Sequence, residues 1–348
     1  MKAFFHPAQR AHRPLQFMRT GVISDPKDVP ERVEPLLQAL RARHVAVEQP
    51  ADAGLAPASS VHSAPYLDFL ATAYERWSGL PAAGPEVLPN LSPYWNGRPD
   101  RDGRPPCPSP SVVAQAGYYL GDLAVPIGPD TFASAIASTH SAFAAANAVL
   151  HGEAAAYALC RPSGHHSRSD RASGFCYLNN TALAAQRLLD RFDTVAVLDV
   201  DAHHGDGTQE IFYRRSDVLT VSVHVDPQVY YPFFIGYPHE TGDGEGVGAN
   251  LNLPLPAGSG DDAFLEAVDK GVAAVRASGA GALVLALGYD GHRDDPITAL
   301  DLSTQAYGEV GRRVAGLGLP VVVVQEGGYQ VSIIGDCLGA FLDGLATA

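Results

Sequence analysis

Acidic residues and a histidine follow an apolar, β-branched segment in the middle of the chain. The segment 195–200 predicts a buried strand, and Asp199, Asp201 and His203 alternate along its end. Side chains two positions apart in an extended segment share one face, so these three can converge on one point. Carboxylate oxygens and an imidazole nitrogen are ligands that suit Zn²⁺. The pattern therefore predicts a metal site, although the glycines that follow also permit an ordinary turn.

A second apolar segment, 282–287, leads to another carboxylate, that of Asp290. A catalytic zinc ion typically has three protein ligands and keeps one position open for water and substrate. Asp201, His203 and Asp290 supply that number. We therefore predict that these three residues bind one metal ion.

Two further clusters contain groups that could carry acid–base chemistry. His165 and His166 follow a short apolar stretch and a Pro- and Gly-containing turn. Imidazole titrates near neutral pH, so a tandem pair beside a metal site indicates a general acid and a general base. Tyr329 follows the apolar segment 321–324 and a Gly-Gly turn. Its hydroxyl could donate a hydrogen bond to a developing oxyanion, although such a turn alone is weakly informative.

The elements that must position these residues alternate between short β-branched segments and longer segments of helical period. This pattern is typical of βαβ units around a mainly parallel sheet. The predicted strands are 194–200, 218–224, 282–288 and 320–325, and the predicted helices are 29–43, 66–77, 130–150, 178–191, 261–278 and 303–315. No linker or repeat divides the chain. We therefore predict one doubly wound α/β domain over 1–348, with ligands beyond the carboxyl ends of its strands.

The composition limits the possible partners and the compartment. The formal net charge is −14 and the pI is about 5.3, which disfavours nucleic acid because its phosphates require clustered Lys and Arg. A small cationic substrate suits this charge better. The four cysteines show no paired spacing, and no segment resembles a signal peptide or a membrane-spanning helix. We therefore expect a cytoplasmic protein that does not bind a membrane.

The segment 78–112 interrupts the alternation of strands and helices. It is dense in Pro, Gly, Asn and Arg, has no clear period, and includes Tyr94 and Trp95. Loops of this length are usually functional or disordered. The two aromatic residues favour an ordered role at an interface or over a substrate entrance, with a mobile surface insertion as the alternative.

Five motifs together are far more specific than any of them alone. In chain order they are RPSGHH at 161–166, GFCYLNN at 174–180, LDVDAHHGDGTQEIFY at 198–213, LGYDGHRDDP at 287–296 and EGGY at 326–329. Through them nearly the whole chain resembles the histone deacetylase and acetylpolyamine amidohydrolase family. Ser163 departs from the family pattern, which usually has a second proline there. The resemblance implies an arginase/deacetylase-like fold and a zinc-dependent hydrolase that removes acetyl groups from acetylated amines.

The resemblance also implies a role for each motif residue. Asp201, His203 and Asp290 would bind one Zn²⁺ per chain. His166 would act as general base towards water and then protonate the departing amine, while His165 would give electrostatic help.

The same resemblance implies supporting residues around these groups. Asp199 would orient His165, and Asp206 would orient His166, because a carboxylate partner fixes the tautomer of an imidazole and raises its basicity. Tyr329 and the metal would together stabilise the tetrahedral oxyanion. The family also binds K⁺, which would lie around Asp199, Asp201, His203 and Ser222 and, at a second site, around Phe212, Arg215 and Val218.

Further residues match the family's narrow substrate channel. Phe175 and Tyr231 correspond to the two aromatic residues that flank it. Gly174 and His292 are further candidates for substrate contact, although His292 could instead only fill the rim. The insertion resembles that of the acetylpolyamine branch, where it builds a homodimer interface and narrows the channel. The expected substrate is therefore a small cationic acetylated amine, most of all an acetylpolyamine, whose distal ammonium Asp122 could attract.

Other interpretations of the sequence stay open. A lysine deacetylase acting on acetylated peptides or proteins is compatible with the motifs. An arginase-like ureohydrolase shares the fold but uses two manganese ions, which would require additional bridging carboxylates. A binding module that recognises acylated amines without turnover is a third possibility. Within the deacetylase interpretation, the same ligands could hold ferrous iron in place of zinc.

Overall fold

The computed structural model describes residues 1–93 and 105–347 of the chain. Its strands are β1 (Lys2–Phe4), β2 (Phe17–Arg19), β3 (Val22–Ser24), β4 (Ala46–Glu48), β5 (Ala155–Ala158), β6 (Val195–Asp199), β7 (Val218–Val225), β8 (Asn250–Leu255), β9 (Ala282–Leu287) and β10 (Val321–Gln325). Eight of them form one sheet in the order β4-β1-β5-β10-β9-β6-β7-β8. Every pairing in this sheet is parallel. Strands β2 and β3 form a separate antiparallel hairpin.

Helices cover both faces of the sheet. They are α1 (Val33–Ala42), α2 (Ala56–Ser59), α3 (Ala64–Ser78), α4 (Val112–Tyr119), α5 (Thr131–Leu150), α6 (Asn180–Leu188), α7 (Asp206–Phe212), α8 (Asp261–Ser278), α9 (Thr304–Ala315) and α10 (Val331–Leu345). Short 3₁₀ turns occur at Pro7–Ala11, Pro30–Arg32 and Gly244–Gly246. No helix of the described residues is both long and apolar enough to cross a membrane.

The central strands are apolar on both faces because both faces are buried. In β9, Leu283 and Leu285 belong to one buried cluster, which α1, α8, α9 and α10 complete. Ala282 and Val284 point the other way, into a cluster that α5 and α6 complete. Such continuous apolar strands are typical of a parallel sheet between two helical layers. The prediction of a doubly wound, mainly parallel α/β fold is confirmed.

The predicted elements all occur, and their ends differ from the prediction by four residues or fewer. The largest difference is at α1, which begins at Val33 because the segment Pro30–Arg32 forms a 3₁₀ turn. The prediction did not include strands β1 to β5 and β8 or helices α2, α4, α7 and α10. Of the predicted insertion 78–112, residues 78–93 and 105–112 are described, whereas Tyr94 and Trp95 lie outside the described residues.

Four adjacent central strands bring the sequence motifs together. The order β5-β10-β9-β6 places the carboxyl ends of these strands side by side. The RPSGHH motif follows β5, EGGY follows β10, LGYDGHRDDP begins at the end of β9, and Asp199 ends β6. Parallel strands end at the same edge of a sheet, so the four motifs meet at one edge. The fold therefore accounts for a single site built from distant parts of the chain.

A buried ion cluster connects the N-terminal segment to Arg161, which follows β5 at this edge of the sheet. Asp28 Oδ1 accepts hydrogen bonds from Arg32 Nη1 at 2.6 Å and from Arg161 Nε at 2.9 Å. All three side chains are about 2% exposed. Arg161 also donates to the carbonyl oxygens of Gln9 and His12. One carboxylate therefore compensates two guanidinium groups away from water.

Replacing Asp28 with alanine should destabilise the fold by about 3–5 kcal/mol, because it leaves two buried cations without their anion. Urea unfolding followed by circular dichroism measures this free energy. The matched control is Asp343→Ala, since Asp343 pairs with Arg43 at the surface and is 65% exposed. Its loss should cost less than about 1 kcal/mol. Equal effects of the two substitutions would show that the buried cluster adds no particular stability.

Candidate active site

Three side chains that could bind a metal ion converge at the carboxyl ends of β6 and β9. Asp201 and Asp290 are fully buried and His203 is 8% exposed. One ligand atom from each lies within 4.8 Å of the others. His203 Nδ1 is 3.1 Å from Asp201 Oδ1 and 3.0 Å from Asp290 Oδ2. Three atoms that all favour a cation thus surround one point, and this donor set fits a zinc-type ion.

Backbone groups hold the two carboxylates in this arrangement. Gly327 N donates to Asp201 Oδ2 at 2.8 Å, and Ala202 N donates to Asp290 Oδ1 at 3.0 Å. A β-carbon at Gly327 would collide with both carboxylates, so only glycine lets the backbone approach so closely. Each carboxylate still directs an oxygen towards His203.

The charges of this cluster also fit a bound cation. Burial and then the nearby charge of Asp201 raise the pKa of Asp290 to about 7. Burial opposes ionisation of Asp201 as well, but the charges of His165 and His203 hold its pKa below the ordinary value. Two buried carboxylates this close repel each other, and a divalent ion between them would remove that penalty.

Each histidine of the tandem pair has its own carboxylate partner. His165 Nδ1 lies 2.9 Å from Asp199 Oδ2, and His166 Nδ1 lies 2.8 Å from Asp206 Oδ1. Both rings are almost completely buried, and their centroids are 4.1 Å apart. A carboxylate at Nδ1 leaves Nε2 of each ring available for proton transfer. The family resemblance implies these same two pairs.

The two histidines differ in the sign of their pKa shifts. Burial lowers the pKa of His165, but the charges of Asp199 and Asp201 outweigh this effect and raise it to about 10. Burial and the neighbouring charge of His165 lower the pKa of His166 to about 4. A neutral imidazole can accept a proton and a charged one can stabilise an anion, so this environment separates the two functions.

Arg168 extends the pair of His166 and Asp206. Its Nε and Nη2 donate to Asp206 Oδ2 at 3.1 and 2.8 Å, while Asp206 Oδ1 faces His166. The guanidinium thereby fixes the carboxylate plane and helps to hold the pKa of Asp206 below its ordinary value against the effect of burial. Arg168 stands only two residues after His166, but no motif spacing points to it.

Tyr329 is placed by the loop that follows β10. Arg32 donates to the carbonyl oxygens of Gly328 and Glu326, and its guanidinium lies 4.7 Å from the centre of the Tyr329 ring. Tyr329 N donates to Asp295 Oδ2 at 2.6 Å. Burial raises the pKa of the Tyr329 hydroxyl well above its ordinary value. The group therefore stays protonated and can donate a hydrogen bond.

A cavity of about 360 Å³ leads from the surface to these groups. Its aromatic walls include Phe175, whose ring is 5.3 Å from that of Tyr329, and Tyr231, whose ring is 5.0 Å from and perpendicular to His166. Met18 of the β2–β3 hairpin and Val229 and Phe233 of the loop after β7 also line the cavity and are exposed at its entrance, whereas Phe17 lines it from a buried position. The cavity is large enough for a small ligand and largely apolar along its length.

The lining includes three of the four residues that were predicted to bind substrate, together with other residues of the site. His166, His203, Tyr329, Gly174, Phe175 and Tyr231 all line the cavity, and so does Asp122. His292 is not among the lining residues. Its Nε2 lies 3.2 Å from Thr304 Oγ1, and its Nδ1 accepts a hydrogen bond from Asp294 N. These contacts stabilise the loop after Asp290, and a substrate contact at His292 stays a prediction.

Comparison with known proteins assigns the chain to a family. The model of the histone deacetylase domain matches residues 27–345. The chain belongs to the histone deacetylase family. This assignment confirms the family resemblance of the motifs and places the chain among amidohydrolases of the deacetylase class.

Relatives within the family are similar over their whole length. The acetylpolyamine amidohydrolase of Burkholderia pseudomallei is 45% identical over 95% of this chain and 94% of its own. The acetylpolyamine amidohydrolase of Mycoplana ramosa is 38% identical over 99% of this chain and 100% of its own. A crystal structure of acetylpolyamine aminohydrolase from Burkholderia pseudomallei has a TM-score of 0.95 and 44% identity, and covers 100% of this chain and 99% of that one. The fold and chain length of this family member therefore match those of its relatives.

Proposed function

We propose that this protein hydrolyses small acetylated amines, most of all acetylpolyamines, to acetate and the free amine. The observation that carries the proposal is the position of the metal-binding triad. Asp201, His203 and Asp290 lie together, His203 lines a cavity with aromatic walls, and two carboxylate-paired histidines lie beside the triad. The similarity to acetylpolyamine amidohydrolases over nearly the full chain supports the same substrate class.

The metal site is proposed to hold one Zn²⁺ per chain, bound by Asp201, His203 and Asp290. Such an ion would polarise the acetyl carbonyl group and lower the pKa of a water molecule. Ferrous iron is compatible with the same ligands. Potassium is a further proposal from the family resemblance, near Asp199 and Ser222.

The side chains around the triad are proposed to carry out the proton transfers. His166 is proposed to take a proton from the attacking water and to deliver it to the nitrogen of the departing amine. His165, paired with Asp199, would hold positive charge beside the reacting atoms. Tyr329 would donate a hydrogen bond to the carbonyl oxygen as negative charge develops on it. This sequence requires no covalent intermediate with the protein.

The channel is proposed to hold the aliphatic part of the amine between Phe175 and Tyr231. Gly174 supports this binding mode because the absence of a side chain leaves room beside His166.

We also keep the predictions of a single domain over residues 1–348, a homodimer through the insertion 78–112 and a cytoplasmic location. The four cysteines are free, which agrees with a reducing compartment.

The alternative functions have less support from the described residues. A manganese pair needs carboxylates that bridge two ions. The second group of possible metal ligands among the described residues is His165, Cys176 and Glu326, which contains a single carboxylate. Its Glu326 accepts hydrogen bonds from the backbone of residues 164 and 165 and from Thr181, so it stabilises a loop. An acetylated lysine in a peptide shares the same linear stem and is separated by experiment.

The test compares turnover of N-acetylputrescine, N-acetylcadaverine and an acetyl-lysine peptide by the zinc-loaded protein. We expect faster turnover of the two acetylpolyamines. Tyr329→Phe should lower kcat by about 10²–10³-fold, since it removes one donor to the oxyanion. Tyr307→Phe is the matched control, because Tyr307 is buried and its hydroxyl has no hydrogen-bond partner among the described residues.

Each outcome of this test has a definite meaning. Preference for the peptide would replace the acetylpolyamine proposal with a lysine deacetylase. Absence of hydrolysis on every acetylated amine would contradict the proposed function. Normal turnover by Tyr329→Phe would contradict the role of its hydroxyl and leave the substrate class unchanged.

A further inference from the structure

One carboxylate at the side of the channel contacts both of its walls. Asp122 lies shortly after α4 and lines the cavity. Its Oδ2 accepts a hydrogen bond from Gly174 N at 3.0 Å and another from the Tyr231 hydroxyl at 2.8 Å. Its Oδ1 accepts from Ala124 N at 2.8 Å. A single oxygen atom therefore joins the segment that carries Phe175 to the ring of Tyr231.

The wall at Gly174 and Phe175 has an unfavourable backbone conformation. Gly174 has a φ of +53° and Phe175 a φ of +69°. Phenylalanine rarely adopts this left-handed conformation, and it persists only where surrounding contacts enforce it. A β-carbon at Gly174 would collide with the ring of His166, so this backbone lies directly against the proposed base. The bond from Gly174 N to Asp122 is one of the contacts that hold it there.

The opposite wall is formed by Tyr231, and hydrogen bonds hold its loop at both ends. Glu240 accepts hydrogen bonds from Gly236 N at 2.8 Å and Tyr237 N at 3.2 Å, which fixes the distal part of the loop after β7. Near the active site, the Tyr231 hydroxyl makes the bond to Asp122. A phenylalanine at position 231 would present the same ring to the channel but could not make this bond. The Tyr231 hydroxyl therefore anchors this wall to Asp122, in addition to the packing that the ring provides.

We propose that Asp122 is a positioning residue that sets the width of the substrate channel by joining its two walls, so that the channel accepts slender, unbranched amines. The proposal rests on the proposed function, because it concerns the substrate of that site. It differs from the expectation that Asp122 attracts a distal ammonium. A carboxylate has about four acceptor positions, and three are already used by protein donors.

The kinetic test uses three substrates and five proteins. N-acetylputrescine and N-acetylbutylamine have the same four-carbon stem with and without a distal cation, and monoacetylated 1,4-bis(aminomethyl)cyclohexane has a thicker stem. The proteins are wild type, Asp122→Ala, Tyr231→Phe, the double variant, and Tyr237→Phe. Tyr237 is the matched control, since its hydroxyl donates to Phe233 O on the same loop but does not touch Asp122.

Each single channel variant should raise KM for both slender substrates by about tenfold, the effect of losing a hydrogen bond to a charged group. The kcat values should change by less than about threefold, because the reacting groups remain in place. The preference of kcat/KM for the slender over the thick stem should fall by about tenfold. The double variant should be no worse than the single ones, because both substitutions break the same link. Tyr237→Phe should behave as wild type.

Three results would overturn the proposal. One is an unchanged KM and stem preference in Tyr231→Phe. Another is an additive loss in the double variant. The third is a loss in Asp122→Ala that affects N-acetylputrescine and spares N-acetylbutylamine, which would make Asp122 an ammonium receptor.

A second measurement does not depend on turnover. Hydrogen–deuterium exchange should become at least about threefold faster in segments 172–177 and 228–237 of Asp122→Ala, because both walls lose an anchor. Tyr237→Phe should leave segment 172–177 unchanged. Unchanged exchange in Asp122→Ala would contradict the link between the walls. If wild type hydrolyses no acetylated amine, the proposed function fails, while this exchange result still decides whether Asp122 joins the walls.

Discussion

Replacing Asp290 with asparagine should lower kcat/KM for N-acetylputrescine by at least about 10³-fold. The metal is expected to stabilise the charge that develops in the transition state by several kcal/mol. Each 1.36 kcal/mol corresponds to a factor of ten in rate. An amide binds zinc more weakly than a carboxylate, so the variant should also purify with much less metal. Steady-state kinetics and elemental analysis of the same samples measure the two effects.

A readout besides activity separates metal loss from misfolding. Zinc at 100 times its Kd should stabilise wild type by about 2.7 kcal/mol, whereas Asp290→Asn should gain little at the same concentration. Asp294→Asn is the control, because Asp294 lies on the same loop with its side chain 62% exposed. Full metal content together with full activity in Asp290→Asn would show that Asp290 is not a metal ligand.

Replacing His166 with alanine should lower kcat for N-acetylputrescine by about 10²–10⁴-fold, the range for loss of a general acid–base group. KM should change much less, because the metal ligands and the aromatic walls remain in place. His166 Nδ1 is engaged by Asp206, so its Nε2 is the atom that is free to take up a proton. Stopped-time assays over a range of enzyme concentrations reach the low rates that this comparison needs.

The control for this variant is His151→Ala, which changes an exposed histidine at the end of α5. It should keep wild-type kinetics. His165→Ala provides the informative contrast, since His165 is expected to stabilise charge and His166 to move the proton. A larger loss of kcat in His165→Ala than in His166→Ala would indicate that His165 moves the proton and His166 stabilises the charge.

The central part of the fold could be predicted from the sequence because its strands are unambiguous. The segments that became β6, β9 and β10 are apolar, β-branched and followed by polar residues, and each is buried on both faces. Their parallel pairing explains why motifs more than one hundred residues apart meet at one edge. Asp201, His203 and Asp290 were predictable for the same reason, since each stands just beyond a recognisable strand.

The peripheral elements could not be predicted because their local signals are weak. Strands β1 and β4 have three residues each, and their position depends on pairing within the sheet. Helix α10 contains three glycines, which lower intrinsic helix propensity. At Gly344 the packing explains the glycine, because a β-carbon would collide with the backbone of Gly308 on α9. Tertiary contact rather than local preference forms this helix.

Asp122 and Arg168 show which features of the site could not be predicted from the sequence. Their importance depends on where their side chains point, and spacing along the chain does not reveal this. Asp122 was expected near the substrate, but its three hydrogen bonds to protein groups follow only from the folded arrangement. His292 shows the same limit, since its place within a motif did not reveal its contacts with Thr304 and Asp294.

The division between central strands and surrounding loops has a consequence for how such an enzyme could change. The groups that are proposed to react follow strands that are paired on both sides within the sheet, whereas the entrance is lined by exposed residues of the β2–β3 hairpin and of the loop after β7. Substitutions at the entrance disturb few core contacts, so they should alter the range of accepted amines at little cost in stability. Directed evolution towards bulkier amides would therefore begin best with libraries at Met18, Val229 and Phe233, while the strand-end residues stay unchanged.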